Sequence, residues 1–334
     1  MNFPTKFSID ASQINILSSR KAMGLPEHYV SGVIETEQLN FEYVRKLSST
    51  ELVGIAEDPQ VPFKMRYAAG TMLALAGDSR IQIFEPNMIL IPESQAKIGL
   101  NWARVSEVVE RYRDLGVIPS WIEKEAPQFE TVVQSFKIAK YPVTNVEYLA
   151  FLKDTQYPHI PTSWQFGCFP MAHANHPVYT VSPESADAYA QWLSKKTNRQ
   201  FRLPSEIEWE YAAGGSESYE FPWGEEYLDD HANTVESGIL STTPVGIFPK
   251  GNSIFGVSDL AGNVEEYVSD NYWTYPGSKK IEDDLMQTVG SSYRIARGGS
   301  FSRFRDLARC KRRHGWFPKD IYAMGFRLAE AKSS

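Results

Sequence analysis

The chain has 334 residues, 42% apolar and 22% charged, which reads as a soluble, globular protein with room for one large domain and a smaller one. Its formal net charge of −7 argues against nucleic acid as the main partner, because phosphate binding needs clustered Lys and Arg. Two cysteines, Cys168 and Cys310, exclude a disulfide framework and a four-cysteine zinc site. No apolar run has the length of a membrane span or the form of a signal peptide, so the expected location is the cytoplasm.

Residues 1–83 are predicted to be helical. Ser48-Ser-Thr-Glu51 has the form of a capping box, and Leu52, Val53, Ile55 and Ala56 follow it as an apolar stripe. Asp58-Pro59 breaks the pattern. Met65, Ala68, Ala69, Met72, Leu73 and Leu75 then recur near helical period, up to Gly77-Asp78. This pair looks like one unit of a helical repeat, which cannot bury both of its faces and is expected to dock on the following domain.

The second domain is placed at residues 84–334. Met88-Ile-Leu-Ile-Pro92 reads as its opening strand, and residues 101–116 as a helical insertion with Val105, Val108, Val109 and Tyr112 on one face. Alternation over Thr131–Ile138 predicts one half-buried strand. Thr144-Asn145 is the expected cap of a helix carrying Tyr148, Leu149 and Phe151, and residues 184–196 form a further helix. Beyond Gly214 the elements are short, and Gly, Pro, Asn and aromatic residues are frequent. Periodicity alone gives the class α+β.

Three motifs stand out in order: Phe201-Arg-Leu-Pro-Ser-Glu-Ile-Glu-Trp-Glu-Tyr-Ala-Ala213, Gly256-Val-Ser-Asp-Leu-Ala-Gly-Asn-Val-Glu-Glu-Tyr267, and Arg297-Gly-Gly-Ser-Phe301 with Gly325-Phe-Arg-Leu328. Together they resemble the formylglycine-generating enzymes, or sulfatase-modifying factors. That family also contains the catalytic domains of ergothioneine-type sulfoxide synthases, and it shares its fold with variable proteins diversified by retroelements. The resemblance covers residues 87–329 and implies a C-type-lectin-like α+β fold with much irregular structure. One departure is local: the family's usual Gly-Gly-x-Phe turn is replaced by Glu93–Gly99.

Glu206, Trp209 and Glu210 share a helical face, and they are expected to pair with Arg and fix loops. Asn263 and Glu266, with Asp259 nearby, fall on the stretch that the resemblance implies binds Ca²⁺, although Glu265 and Tyr267 stand where the family usually has Trp. Formylglycine-generating enzymes bind Cu(I) through two cysteines after the Gly-Gly-Ser strand. Here Ser302–Arg309 separates that strand from Cys310, and Cys168 lies far back, so copper chemistry is expected only if the fold joins Cys168 and Cys310. The ergothioneine branch uses three histidines, two of them in an N-terminal helical domain, whereas residues 1–83 hold only His28.

Two functions follow. The first is a ligand- or protein-binding accessory module. Its basic-aromatic pocket would be made by Trp164, Arg297, Ser300, Arg303, Arg305, Arg313 and Trp316 and would face an anionic small molecule, peptide or protein. Arg297 and Ser300 match the strand that lines the family's pocket. The alternative is a noncanonical non-heme metal oxidase or oxygenase acting on a thiol- or amino-acid-like substrate. Iron or copper would then be held by His173, His176 and His314, with His159 as a further donor and Ser300 and Cys310 as catalytic candidates.

Overall fold

A computed structural model describes residues 14–36, 39–290 and 292–331. From residue 14 on, the described N-terminal residues hold only short helical turns until α1 (Ser49–Ala56) and α2 (Phe63–Ala76), and the helical expectation for residues 1–13 lies outside the described residues. Ser48 closes the capping box: its hydroxyl accepts from Glu51 N–H, and the Glu51 carboxylate accepts from Ser48 N–H at 2.8 Å. The two helices bury Leu52, Ala56, Ala68, Ala69 and Leu73 against Ile239, Ile247 and Phe248 of the following domain. Gly70 permits this close approach, since a Cβ there would lie 2.8 Å from Pro244 Cβ. Its carbonyl accepts from Asn175 Nδ2 at 3.0 Å, and buried Arg66 pairs with Asp230.

The first sheet is built from β1 (Met88–Ile91), β4 (Phe136–Ala139), β5 (Phe201–Arg202) and β10 (Ala329–Ala331), in the antiparallel order β1-β4-β10-β5. A two-stranded ribbon joins β2 (Ser94–Ile98) to β3 (Phe129–Val133). Glu93–Gly99, the local departure from the family pattern, thus supplies a strand. The single strand expected over 131–138 is instead β3 and β4. The chain breaks at Gln134-Ser135, where Ser135 Oγ donates to Ile91 O at 3.1 Å. Within the 101–116 insertion the α-helix is α3 (Val105–Arg111), flanked by 3₁₀ turns. The longer helices that follow are α4 (Asn145–Thr155), α5 (Pro183–Thr197) and α6 (Glu206–Gly214).

The second sheet positions the functional site. It contains β6 (Glu265–Asn271), β7 (Arg294–Arg297), β8 (His314–Gly315) and β9 (Met324–Phe326), in the order β8-β7-β6-β9. Tyr267 is in register with Ala296 on one side and Phe326 on the other, and Ala296 with His314. Side chains alternate between faces along each strand. Tyr267, Ala296, Met324 and Phe326 therefore join a core with Tyr148, Tyr189 and Leu193, while Val268 and Ile295 join a core with Trp209, Val257 and Leu260.

Candidate functional site: the two faces of the second sheet

The face toward α6 holds a buried ion network. Ser205 caps α6 in a second capping box with Glu208, and the helix lays Glu206, Trp209 and Glu210 on the sheet. Arg297 Nη1 donates to Glu206 at 2.9 Å, and its Nη2 reaches Glu210 and the Cys310 carbonyl. Arg313 grips Glu206 with two donors at 2.8 Å. Arg327 forks onto Glu266 at 2.6 Å through two bonds, and Trp209 Nε1 donates to the same carboxylate at 2.8 Å. Burial would raise the Glu206 carboxyl, but the Arg313 and Arg297 guanidiniums beside it hold it below the usual carboxylate range.

The remaining arginines of the C-terminal segment are also engaged. Arg309 forks onto Glu125 at 2.8 and 3.0 Å and also pairs with Glu220. Arg312 lies over Trp121 and donates to the Trp121 carbonyl at 3.3 Å. Arg305, partly exposed, bridges Glu236 and Asp114.

The residues expected to form one basic-aromatic pocket do not converge. Arg297 and Arg313 fall on the network face, because they are one residue off the Ala296–His314 row and strand parity turns them away. Ser300 is fully buried, with its hydroxyl 3.0 Å from Ser302 Oγ. Trp164 is a core residue whose Nε1 donates to Asn145 Oδ1 at 2.8 Å. Arg303 is buried over the Tyr322 ring at 4.8 Å. Trp316 alone of the seven lines the main cleft.

The expected metal ligands are likewise spent or separated. Asn263 Oδ1 accepts from Thr243 N–H at 3.0 Å and its Nδ2 donates to Thr243 O. Glu266 is wrapped by Arg327, so a guanidinium stands where Ca²⁺ would sit, and the trio does not fit a calcium cage. Asp259 accepts from Gly246 N–H, and burial pushes its carboxyl up to about 6. His173 and His176 stack at 4.3 Å, His176 Nδ1 contacts Thr242 Oγ1, and His159 packs on Tyr157. His314 is bound elsewhere, to Glu265. Among the described residues, no three His, Cys, Asp or Glu side chains converge in a way that could hold a metal ion. Cys168 is exposed on a loop, whereas Cys310 is buried beside Gly214 with its thiol pushed up by burial. The two therefore offer no two-sulfur site.

The opposite face of the sheet opens onto a cleft of about 680 Å³. Tyr267, Tyr293, Trp316 and Tyr322 line it, with Glu184 and Arg294 among its charged groups. Trp316 is 44% exposed at its edge. Arg294 is steadied by Asp187 at 2.7 Å and by the Val268 carbonyl. Lys319, also in the wall, donates to the Ile14 and Leu17 carbonyls, and Tyr322 Oη donates to Asn15 Oδ1 at 2.7 Å, so residues 14–17 brace this side. Sequence reasoning missed Tyr267, Tyr293 and Arg294. Parity finds two of them: Arg294 and Ala296 are two apart on β7, and Tyr267 is opposite Ala296. Tyr293 precedes the strand and packs with Ile295 and Trp209, so parity does not find it.

This is an α+β domain whose three sequence motifs build an internal ion network and whose open cleft lies behind them. Residues 77–332 match the family described as the sulfatase-modifying factor enzyme 1-like domain, and the chain belongs to it. Serine/threonine-protein kinase Pkn1 of Chlamydia trachomatis is 34% identical over 225 residues, which is 62% of this chain and 35% of that protein. Hercynine oxygenase of Mycolicibacterium thermoresistibile is 29% identical over 253 residues, 65% of this chain and 55% of that protein. The chain thus spans between about a third and about half the length of these relatives. The structure of PvdO from Pseudomonas aeruginosa superposes with a TM-score of 0.55 at 28% identity, covering 74% of this chain and 95% of that one. No helix among the described residues is long and apolar enough to cross a membrane.

Proposed function

We propose that this chain is a ligand-binding, accessory member of its family, and that the cleft on the Tyr267 face is its binding site. The observation that carries this reading is the cleft itself. Its volume of about 680 Å³ and its aromatic walls suit a small ligand or a short peptide segment. The rim carries both signs of charge, Glu184 and Asp320 with Arg294 and Lys319. This shifts the expected anionic ligand to one bearing both charges, such as an amino acid or a short peptide. The arginines that would favour a purely anionic partner are already neutralised by Glu206, Glu210, Glu125 and Glu220. Copper-dependent formylglycine formation is set aside because Cys310 is a core residue and Cys168 an exposed one. Two free thiols suit the reducing cytoplasm as its place of action.

The test has two parts. Calorimetric titration with a set of zwitterionic tripeptides should give saturable binding that Trp316→Ala removes. Binding that is indifferent to Trp316→Ala would sink the cleft assignment. The likeness to hercynine oxygenase keeps one second reading, a metal-dependent oxidase of a thiol- or amino-acid-like substrate. Elemental mass spectrometry of protein purified without chelator decides that point, and stoichiometric iron or copper would replace the accessory reading.

A further inference from the structure

Arg294 stands in the cleft wall with one edge of its guanidinium unused. Asp187 takes the end of the plane: its Oδ2 accepts from Nη2 at 2.7 Å and its Oδ1 from Nη1 at 3.4 Å. The Val268 carbonyl accepts the other Nη1 proton at 3.2 Å. Nε–H and the second Nη2 proton are left, and in a planar guanidinium these two point the same way, along its side edge. Neither has an acceptor among the described residues, and Nε is not sealed from solvent.

The same molecule shows what that edge binds. In Arg313 the Nε and Nη2 pair holds the Glu206 carboxylate, at 2.8 Å through each bond. In Arg327 the same pair holds Glu266, at 2.6 Å through each bond. Both of those forks are filled from within the chain. The Arg294 fork is empty, and its side chain keeps 19% of its surface exposed.

A second donor lies in the same wall. Tyr267 is 1% exposed, yet its hydroxyl has no hydrogen-bond partner among the described residues and is not sealed, so it opens onto the cleft that Tyr267 lines. Burial pushes this hydroxyl up against the pull of Arg294, so it stays protonated and can donate. The charge balance limits what these donors can take. The Glu184 carboxyl is held below its usual range by its own N–H, the Ser182 hydroxyl and Arg294, so it is ionised, and Asp187 already pairs with Arg294. One guanidinium beside two carboxylates suits a planar, singly charged anion better than a phosphate dianion.

We infer that the side edge of Arg294 is the carboxylate anchor of the cleft, and that it selects the α-carboxylate of an amino acid or of a peptide's C-terminus. This rests on the cleft being the binding site. Asp187 and the Val268 carbonyl fix the guanidinium plane before the ligand arrives, which lowers the ordering cost of the fork. Tyr267 Oη supplies a third hydrogen bond. Arg294 is thus a specificity-determining residue, and Asp187 positions it.

The experiment is calorimetric titration of the full chain with Ala-Ala-Phe, with its C-terminal amide, and with free phenylalanine. The amide should bind at least about tenfold more weakly than the acid, as expected for loss of a charge-assisted fork. Arg294→Lys keeps the charge but not the fork, and should bring acid and amide within about threefold of each other. A merely structural role would weaken both and leave their ratio unchanged. If that variant does not fold, the Arg294 Nε–H proton resonance of the unaltered protein serves: it should shift with the acid and not with the amide. Tighter binding of the tripeptide than of phenylalanine assigns the carboxylate to a peptide, and equal binding assigns it to an amino acid; both support the anchor. Acid and amide that bind alike, with both still lost in Trp316→Ala, overturn the anchor and leave the cleft as the binding site. Binding of neither, or binding indifferent to Trp316→Ala, removes the cleft reading and the anchor with it.

Discussion

The two faces of the second sheet use charge in opposite ways. Toward α6, Arg297, Arg313 and Arg327 meet Glu206, Glu210 and Glu266 with every carboxylate gripped by at least one guanidinium. Toward the cleft, Tyr267, Tyr322 and a half-exposed Trp316 form the wall, with Glu184 and Arg294 among the charged groups. A buried charge is tolerable only when paired and hydrogen-bonded. The network face comes close to satisfying that rule: of the nitrogens of these three arginines only the buried Arg297 Nε has no partner, so little is left for a ligand. The cleft face is open and aromatic and carries both signs of charge, which is what ligand binding requires. Family-specific residues are thus structural here, and the less distinctive ones next to them in the strands face the cleft.

This contrast can be broken at its strongest point first. Glu206→Gln strips buried Arg313 of its counter-charge, leaves Arg297 with Glu210 alone, and should cost about 3–5 kcal/mol in urea unfolding. If the network were merely decorative, the loss would be below about 1 kcal/mol.

The sheet face that carries Ala296 and His314 should reveal itself through pH. The folded His314 imidazole titrates below its unfolded value of about 6.5, so beneath that value the unfolded chain binds more protons than the folded one. The stability this residue contributes is present above pH 6.5 and is lost as pH falls toward the lowered folded value. Wild type should therefore lose on the order of 1 kcal/mol more than His314→Gln between pH 7 and pH 5. Glu206, by contrast, can add acid sensitivity only below the ordinary carboxylate range. Parallel stability curves for the two proteins would remove the distinction between the faces.

Smaller effects sharpen it. Arg305 belongs to the same basic segment but is partly exposed, so Arg305→Ala should cost under about 1 kcal/mol, in contrast to its buried neighbours. Trp316→Ala should change stability by no more than about 0.5 kcal/mol while abolishing ligand binding, measured by calorimetric titration.

The fold was legible because its signals are local. The capping box at Ser48, the apolar stripe of α2 and the order of the three motifs all lie within short windows. Glu206 and Glu210 were readable as loop-fixing partners of arginine from their helical spacing. The site was less legible because it depends on strand parity and distant pairing. Whether Arg297 or Ala296 faces the cleft turns on a one-residue register, and β8 is only two residues long, too short to show alternation. Arg309 finds Glu125, far back in the chain beyond the 101–116 insertion, which no spacing rule could pair. The Gly-Asn-x-x-Glu stretch kept its residues, yet Glu266 was committed to Arg327 across the sheet.

The position of β10 has a consequence for biosynthesis. Ala329–Ala331 lies between β4 and β5, so the first sheet is incomplete until those residues have left the ribosome. Until then β4 presents Phe136 and Ile138, both core residues, beside an unfilled edge. The domain cannot settle piece by piece during synthesis. It must wait and then close in one late, long-range event, which makes the nascent chain a natural client of chaperones.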